Sequence, residues 1–165
     1  MADKYEKYRN LCYQFPGIKQ NTEDTCWCAA LAWWIKALKG GRPQLNQEQI
    51  YNQYAGFTVN GWNNSNLIAP NQYQRLLSEP KWKADVVFKP AGFGPTYLNQ
   101  KLEKGPIIIG YWNPGGGHVV VMVAPSITYQ DRYMVMDPAF GNVRPYGYGK
   151  FSTYSTVLVA TPKVT

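Results

Sequence analysis

Histidine is nearly absent from this chain: among 165 residues there is one, His118. Any thiol or hydroxyl that needs an imidazole base therefore has a single candidate. Cysteine is scarce too. Cys12, Cys26 and Cys28 form an odd, unevenly spaced set, which excludes the even-numbered disulfide framework of a small secreted domain and points to a reducing compartment. Only 16% of residues are charged, and no run of like charge, Gly/Ser linker or Pro-rich tract marks a boundary, so residues 1–165 are expected to fold as a single domain. No apolar stretch approaches the roughly 20 residues of a membrane span. The opening residues, Met1 to Tyr8, alternate charge with tyrosine and lack the apolar centre of a signal peptide, so a cytoplasmic location, or delivery into the cytoplasm of a target cell, is expected.

What the chain does have is apolar and aromatic bulk: 45% hydrophobic residues, with 13 tyrosines and 6 tryptophans, enough to fill one core. Seventeen basic residues against ten acidic ones leave a net charge of +7. The basic residues are spread along the chain as singletons and no recognition motif accompanies them, so no nucleic-acid partner is expected.

The first strong element is CWCAALAWWIKALK, Cys26 to Lys39, rich in helix formers and stopped by Gly40-Gly41. Apolar residues cover almost its whole circumference, which predicts a buried helix. The polar stretch Gln20 to Thr25 precedes it, and Asp24 or Thr25 can cap it. Asn46 with Gln49 three residues on predicts a capped helix from Gln47 to Tyr54, and further short helices are expected at Gln72–Leu77 and Thr96–Glu103. Gly61 to Asn66 reads as loop. Strands are expected at Val86–Phe88, Pro106–Trp112, His118–Ala124, Tyr133–Asp137 and Thr156–Ala160. A helical first half followed by a strand-rich second half predicts an α+β fold with a mainly antiparallel sheet.

His118 opens an apolar strand after the nearly side-chain-free loop Asn113 to Gly117. If His118–Ala124 and Asp131–Asp137 form a symmetric hairpin, residue 118 faces residue 137 directly on one face of the sheet. Asp137 could then accept the Nδ1 proton of His118 and leave Nε2 free as a base. A cysteine at a helix N-terminus is the strongest kind of nucleophile candidate, because orphan N–H groups and the helix dipole favour an anionic sulfur. Cys26 sits there. Cys28, two positions on, points elsewhere and reads as core, and Cys12 as an incidental thiol. A zinc site built from Cys26, Cys28 and His118 lacks both the usual ligand spacing and a fourth ligand, so neither metal nor cofactor is expected. For an oxyanion, the Cys26 backbone N–H supplies one donor, and the side-chain amide of Gln20 is placed to supply the second.

The string Gln20-x5-Cys26-Trp27, continuing as an Ala-rich helix and followed by Gly117-His118 and Met136-Asp137-Pro138, resembles the papain-like cysteine peptidases. In size and pattern it is similar above all to the bacteriocin-processing, double-glycine peptidase domains and to bacterial papain-like effector proteases. The resemblance implies a papain-like fold in which Cys26 heads a central helix, His118 and Asp137 lie on the facing sheet, and Gln20 lies in the oxyanion hole. Aspartate as the third residue matches the bacteriocin-processing type; papain itself uses asparagine.

The expected function is therefore a cysteine peptidase acting on a protein or peptide through an acyl-enzyme, in the role of a bacterial effector toxin, with an immunity or inhibitor protein as a further partner. Cleavage after Gly-Gly is expected if Trp27 and Trp112, which neighbour the catalytic positions in sequence, wall a narrow cleft. The same triad could instead serve a deamidase, an acyltransferase or a cell-wall amidase, and a decayed, non-catalytic binding domain is the third class.

Overall fold

The computed structural model describes residues 3–58, 68–89 and 92–163, and the expected loop Gly61–Asn66 lies outside them. The fold is α+β: among the described residues it has six helices and one six-stranded antiparallel sheet. The helices are α1 (Glu6–Gln14), α2 (Cys26–Leu38), α3 (Gln47–Tyr54), α4 (Pro70–Leu77), α5 (Pro95–Leu102) and the single turn α6 (Gly149–Ser152). The strands are β1 (Ala84–Phe88), β2 (Ile107–Asn113), β3 (Gly116–Pro125), β4 (Arg132–Asp137), β5 (Asn142–Gly147) and β6 (Thr156–Pro162). Their order across the sheet is β1-β6-β2-β3-β4-β5.

Helix α2 is apolar all round because it is enclosed all round: eleven of its thirteen residues are buried. Its polar atoms are satisfied from outside, since Trp34 Nε1 donates to Pro106 O at 2.7 Å, Trp33 Nε1 to Pro16 O at 3.2 Å, and Trp27 O accepts from Tyr73 Oη. Gly40 and Gly41, both in the left-handed region, end it as expected. Thr25 occupies the N-cap position, but its hydroxyl is bonded to Thr22 in the preceding loop, so no side chain caps the helix. By contrast α3 carries the complete capping box foreseen for Asn46 and Gln49.

Residues Val119 to Ala124 of β3 are buried at every consecutive position, so both faces of the sheet are covered there. Helix α2 packs on β3, and α1 and α5 also contact that strand. The chain enters β3 from β2 by a tight hairpin in which Trp112 pairs with Gly117 and Asn113 with Gly116. The glycines there make room for the Trp112 indole: a Cβ on Gly117 would lie 2.1 Å from Trp112 Cδ1 and one on Gly110 2.3 Å from its ring.

Three elements escaped the sequence reading. Helix α1 has a weakly apolar composition and buries only Arg9 and Leu11. Strand β5 carries Pro145, tolerated because β5 is an edge strand whose outer side makes no ladder. Helix α6 is a single turn.

Candidate active site

The β3–β4 hairpin is not symmetric. Val121 pairs with Met136 and Met122 with Val135, then a β-bulge intervenes and Ala124 pairs with Met134. Continuing the register one step puts Asp137 opposite Val120, two positions from the expected partner. Because the displacement is even, side-chain alternation is preserved, and His118 and Asp137 remain on one face as diagonal neighbours. The diagonal changes which nitrogen is used. A carboxylate directly opposite would meet the proximal Nδ1, whereas Asp137 Oδ1 meets the distal Nε2 of His118, at 2.6 Å. This corrects the expected arrangement: Nδ1 is the nitrogen left free.

Cys26 is the first residue of α2, and its thiol interacts with the His118 imidazole and helps to raise the pKa of that ring. Helix packing on β3 thus places the first turn of α2 against the imidazole at the strand's beginning. Tyr111, paired with His118 across β2 and β3, meets the ring edge-on, with centroids 5.8 Å apart. The ring is therefore held from three sides. Cys26 is 1% exposed, Asp137 is 2% exposed and the His118 side chain 20%, so the imidazole is the solvent-facing member of the group.

Burial works against a charged imidazole, yet its hydrogen bonds to Asp137 and Cys26 and its electrostatic attraction to them outweigh it, and the pKa of His118 is pushed up to about 9. Burial likewise works against charge on Asp137, but the bonds from His118 and Tyr146 hold its carboxyl below the usual value. The carboxylate is fully engaged. Oδ1 also accepts from Ala139 N at 3.0 Å, and Oδ2 accepts from the Tyr146 hydroxyl.

Tyr146 is the site residue that the sequence did not disclose. It lies on β5 between Pro145 and Gly147, where no strand signal survives, and only the β4–β5 pairing brings it to Asp137. Burial first, and then the bond to the carboxylate, raise its own pKa to about 12, so it remains a donor throughout the neutral range. Tyr146→Phe is expected to lower kcat by about tenfold and to remove about 1.5–3 kcal/mol, the value of a hydrogen bond to a charged group. Since this bond depresses the Asp137 pKa, its loss should move acid unfolding to higher pH. Circular dichroism during acid titration checks this, and an unchanged midpoint would show that the hydroxyl does not act on the carboxylate.

Gln20 is brought to the neighbourhood of the group but not in the expected posture. Its backbone N–H donates to Pro138 O at 2.9 Å, tying the loop before α2 to the turn after Asp137. The same two segments meet at Gly17 and Gly141, where a Cβ on Gly17 would lie 2.7 Å from Gly141 O. The side-chain Nε2, however, donates to Thr22 O and Glu23 O, both at 2.8 Å, while Oε1 is buried without a partner among the described residues. Both amide protons thus brace the loop, and an oxyanion would have to draw one of them away.

Cys28 is fully buried and its thiol pKa is raised, chiefly by burial, while burial pushes the half-buried Cys12 up to about 12. Iodoacetamide at neutral pH should therefore label Cys26 first, because only that thiol has an imidazole to take its proton. Mass spectrometry of the digested protein checks it, and preferential labelling of Cys28 would overturn the choice of nucleophile. Among the described residues no cluster of three or more His, Cys, Asp or Glu side chains is placed to hold a metal ion. Nor is any helix there long and apolar enough to cross a membrane.

The two tryptophans expected to wall a cleft are core residues. Trp27 is fully buried against Tyr51 and Tyr73, and Trp112 is buried with Nε1 donating to Ile68 O at 3.1 Å. Their bulk packs the interior, which removes the steric basis for selecting Gly-Gly.

No protein-family model matches the chain, and no curated protein sequence matches it.

Proposed function

We propose that this chain is a papain-like cysteine peptidase in which Cys26 is the nucleophile, His118 the proton carrier and Asp137 the residue that orients the imidazole. The observation that carries this reading is a three-member relay. A thiol at the start of a buried helix interacts with the only histidine, and the Nε2 of that histidine is 2.6 Å from a buried carboxylate. Three donors on one carboxylate fix its orientation, and a fixed carboxylate fixes the ring.

The chemistry then follows the geometry. The Cys26 sulfur attacks the amide carbonyl carbon while His118 Nδ1 holds the thiol proton, and the C–N bond breaks as that proton passes to the departing amine. The product is a thioester on Cys26 and a free amine. Water, deprotonated by the same nitrogen, attacks the thioester, releases the carboxylic acid and restores the thiol. The developing oxyanion is met by the Cys26 backbone N–H, which has no intrahelical acceptor at the helix start, and by one Nε2 proton of Gln20.

This role for Gln20 makes a definite demand. Catalytic hydrogen bonds often tighten only in the substrate complex, so the brace to Thr22 and Glu23 must yield one proton when substrate binds. Gln20→Ala is expected to reduce kcat roughly 10²- to 10³-fold with little change in thermal midpoint. A lowered midpoint with kcat within about twofold of wild type would make Gln20 a loop brace and nothing more.

The decisive experiment incubates wild type and Cys26→Ala with a panel of proteins and peptides, following new N-termini and released ammonia separately. New N-termini from the wild type alone support a peptidase. Ammonia without chain cleavage would reassign the site to a deamidase. Produced in a bacterial cytoplasm, the wild type and not Cys26→Ala should arrest growth if the chain acts as an effector on a protein target there.

A further inference from the structure

The basic residues that are singletons in sequence do not stay apart in space. A cavity of about 460 Å³ opens at the C-terminal end of α2, the end opposite Cys26. Six lysines line it: Lys7 from α1, Lys39 at the end of α2, Lys81 and Lys83 around the turn at Pro80–Trp82, Lys104 after α5 and Lys163 after β6. No aspartate or glutamate is among the lining residues. One of the six is already paired, Lys81 with Glu79 at 3.6 Å, while Glu103 is bonded to Lys4, which does not line the cavity. The floor is apolar, made by Ile35, Leu38, Leu45, Trp82 and Pro162.

The backbone gathers these groups deliberately. Lys83 adopts the left-handed conformation (φ 51°), unusual for a residue with a side chain, and its carbonyl accepts from Lys163 N at 2.8 Å. Two lysines from distant parts of the chain are thereby set side by side. Trp82, 8% exposed in the cavity wall, has an indole N–H with no acceptor among the described residues. Like charges held together around a concavity repel one another unless an anion enters. The volume lies within the range of small-molecule sites, and an apolar floor beneath a charged rim matches a ligand with one apolar and one multiply anionic part.

We propose that this cavity binds a small organic polyphosphate, such as a nucleoside triphosphate, with its phosphates among the lysines and its organic part on the apolar floor. The site is independent of the peptidase reading, so Cys26→Ala should bind as wild type does.

Isothermal titration calorimetry at low ionic strength, with ATP, tripolyphosphate and adenosine as probes, tests it. ATP should bind one per chain, tripolyphosphate more weakly and adenosine not detectably. Added salt should weaken ATP binding, because the attraction is between screened charges. Lys83→Gln with Lys163→Gln, both exposed positions, should weaken ATP at least about tenfold, whereas arginine at the same two positions should largely retain it. Binding unaffected by the glutamine pair would overturn the proposal, since it would reflect only the net positive charge. Absence of ATP binding would do the same. Displacement of ATP by a single-stranded oligonucleotide or an acidic peptide of much higher affinity would also overturn it, making the face a macromolecular docking surface.

Discussion

Replacing Cys26 or His118 with alanine is expected to remove hydrolysis almost completely, by roughly 10⁵- to 10⁶-fold in kcat, the loss seen when one member of a nucleophile–base pair is removed. The two effects should not add. Once the sulfur is gone the imidazole has no proton to carry, so the double variant should be no worse than either single one. Stability should separate the two. Cys26→Ala removes a small buried group and leaves the His118–Asp137 pair intact, whereas His118→Ala leaves a buried carboxylate short of one of its three donors. Kinetics with a cleaved substrate and thermal denaturation of the three variants measure both. Residual activity in Cys26→Ala above about 1% of wild type would remove Cys26 as nucleophile.

Asp137→Ala should cost about 10⁴-fold in kcat, less than loss of the nucleophile, because the carboxylate orients the ring and does not react. Its second effect is on pH. In the wild type, His118 holds its proton up to about pH 9, so transfer to the leaving amine should decline as pH rises through that value. Without Asp137, burial is left with less opposition, and the alkaline limb should move down toward or below the ordinary imidazole value. Stability follows the same group. A pKa raised from 6.5 to about 9 in the folded state contributes on the order of 3 kcal/mol that is fully present below pH 6.5 and lost as pH rises through about 9. The depressed Asp137 contributes stability present above its unfolded value and lost as pH falls. Asp137→Ala should therefore flatten both the acid and the alkaline flank of the unfolding curve. An alkaline limb that stays near pH 9 would show that another group keeps the proton on His118.

Much of the candidate site was legible because local chemistry marks it. A single histidine leaves one candidate base, and a cysteine beginning the ten-residue apolar run Cys26–Ile35 points to the head of a buried helix. Asp137 was reachable by hairpin arithmetic, and the arithmetic survived its own error. The bulge before Ala124 shifts the register by one, and together with the placement of the turn it leaves Asp137 two positions from its expected partner, an even displacement that keeps its side chain on the expected face. A displacement of one would have put the carboxylate on the other side of the sheet. The swap from Nδ1 to Nε2 could not be read in advance, since it depends on where the bulge falls.

By itself the sequence determined the type of most elements and the helix that carries Cys26, because propensity, apolar patterning and capping act within a few residues of one another. It also singled out Cys26, His118 and Asp137 as the candidate groups for chemistry. Tertiary structure alone decided the rest. It chose which imidazole nitrogen meets the carboxylate, brought Tyr146 from an edge strand that carries a proline, and turned the Gln20 amide toward its own loop. It also drew six lysines, separated by up to 156 positions from Lys7 to Lys163, around one cavity. Contacts between residues far apart in the chain depend on how helices and strands dock, and docking is set by the shape of the whole core rather than by any local stretch of sequence.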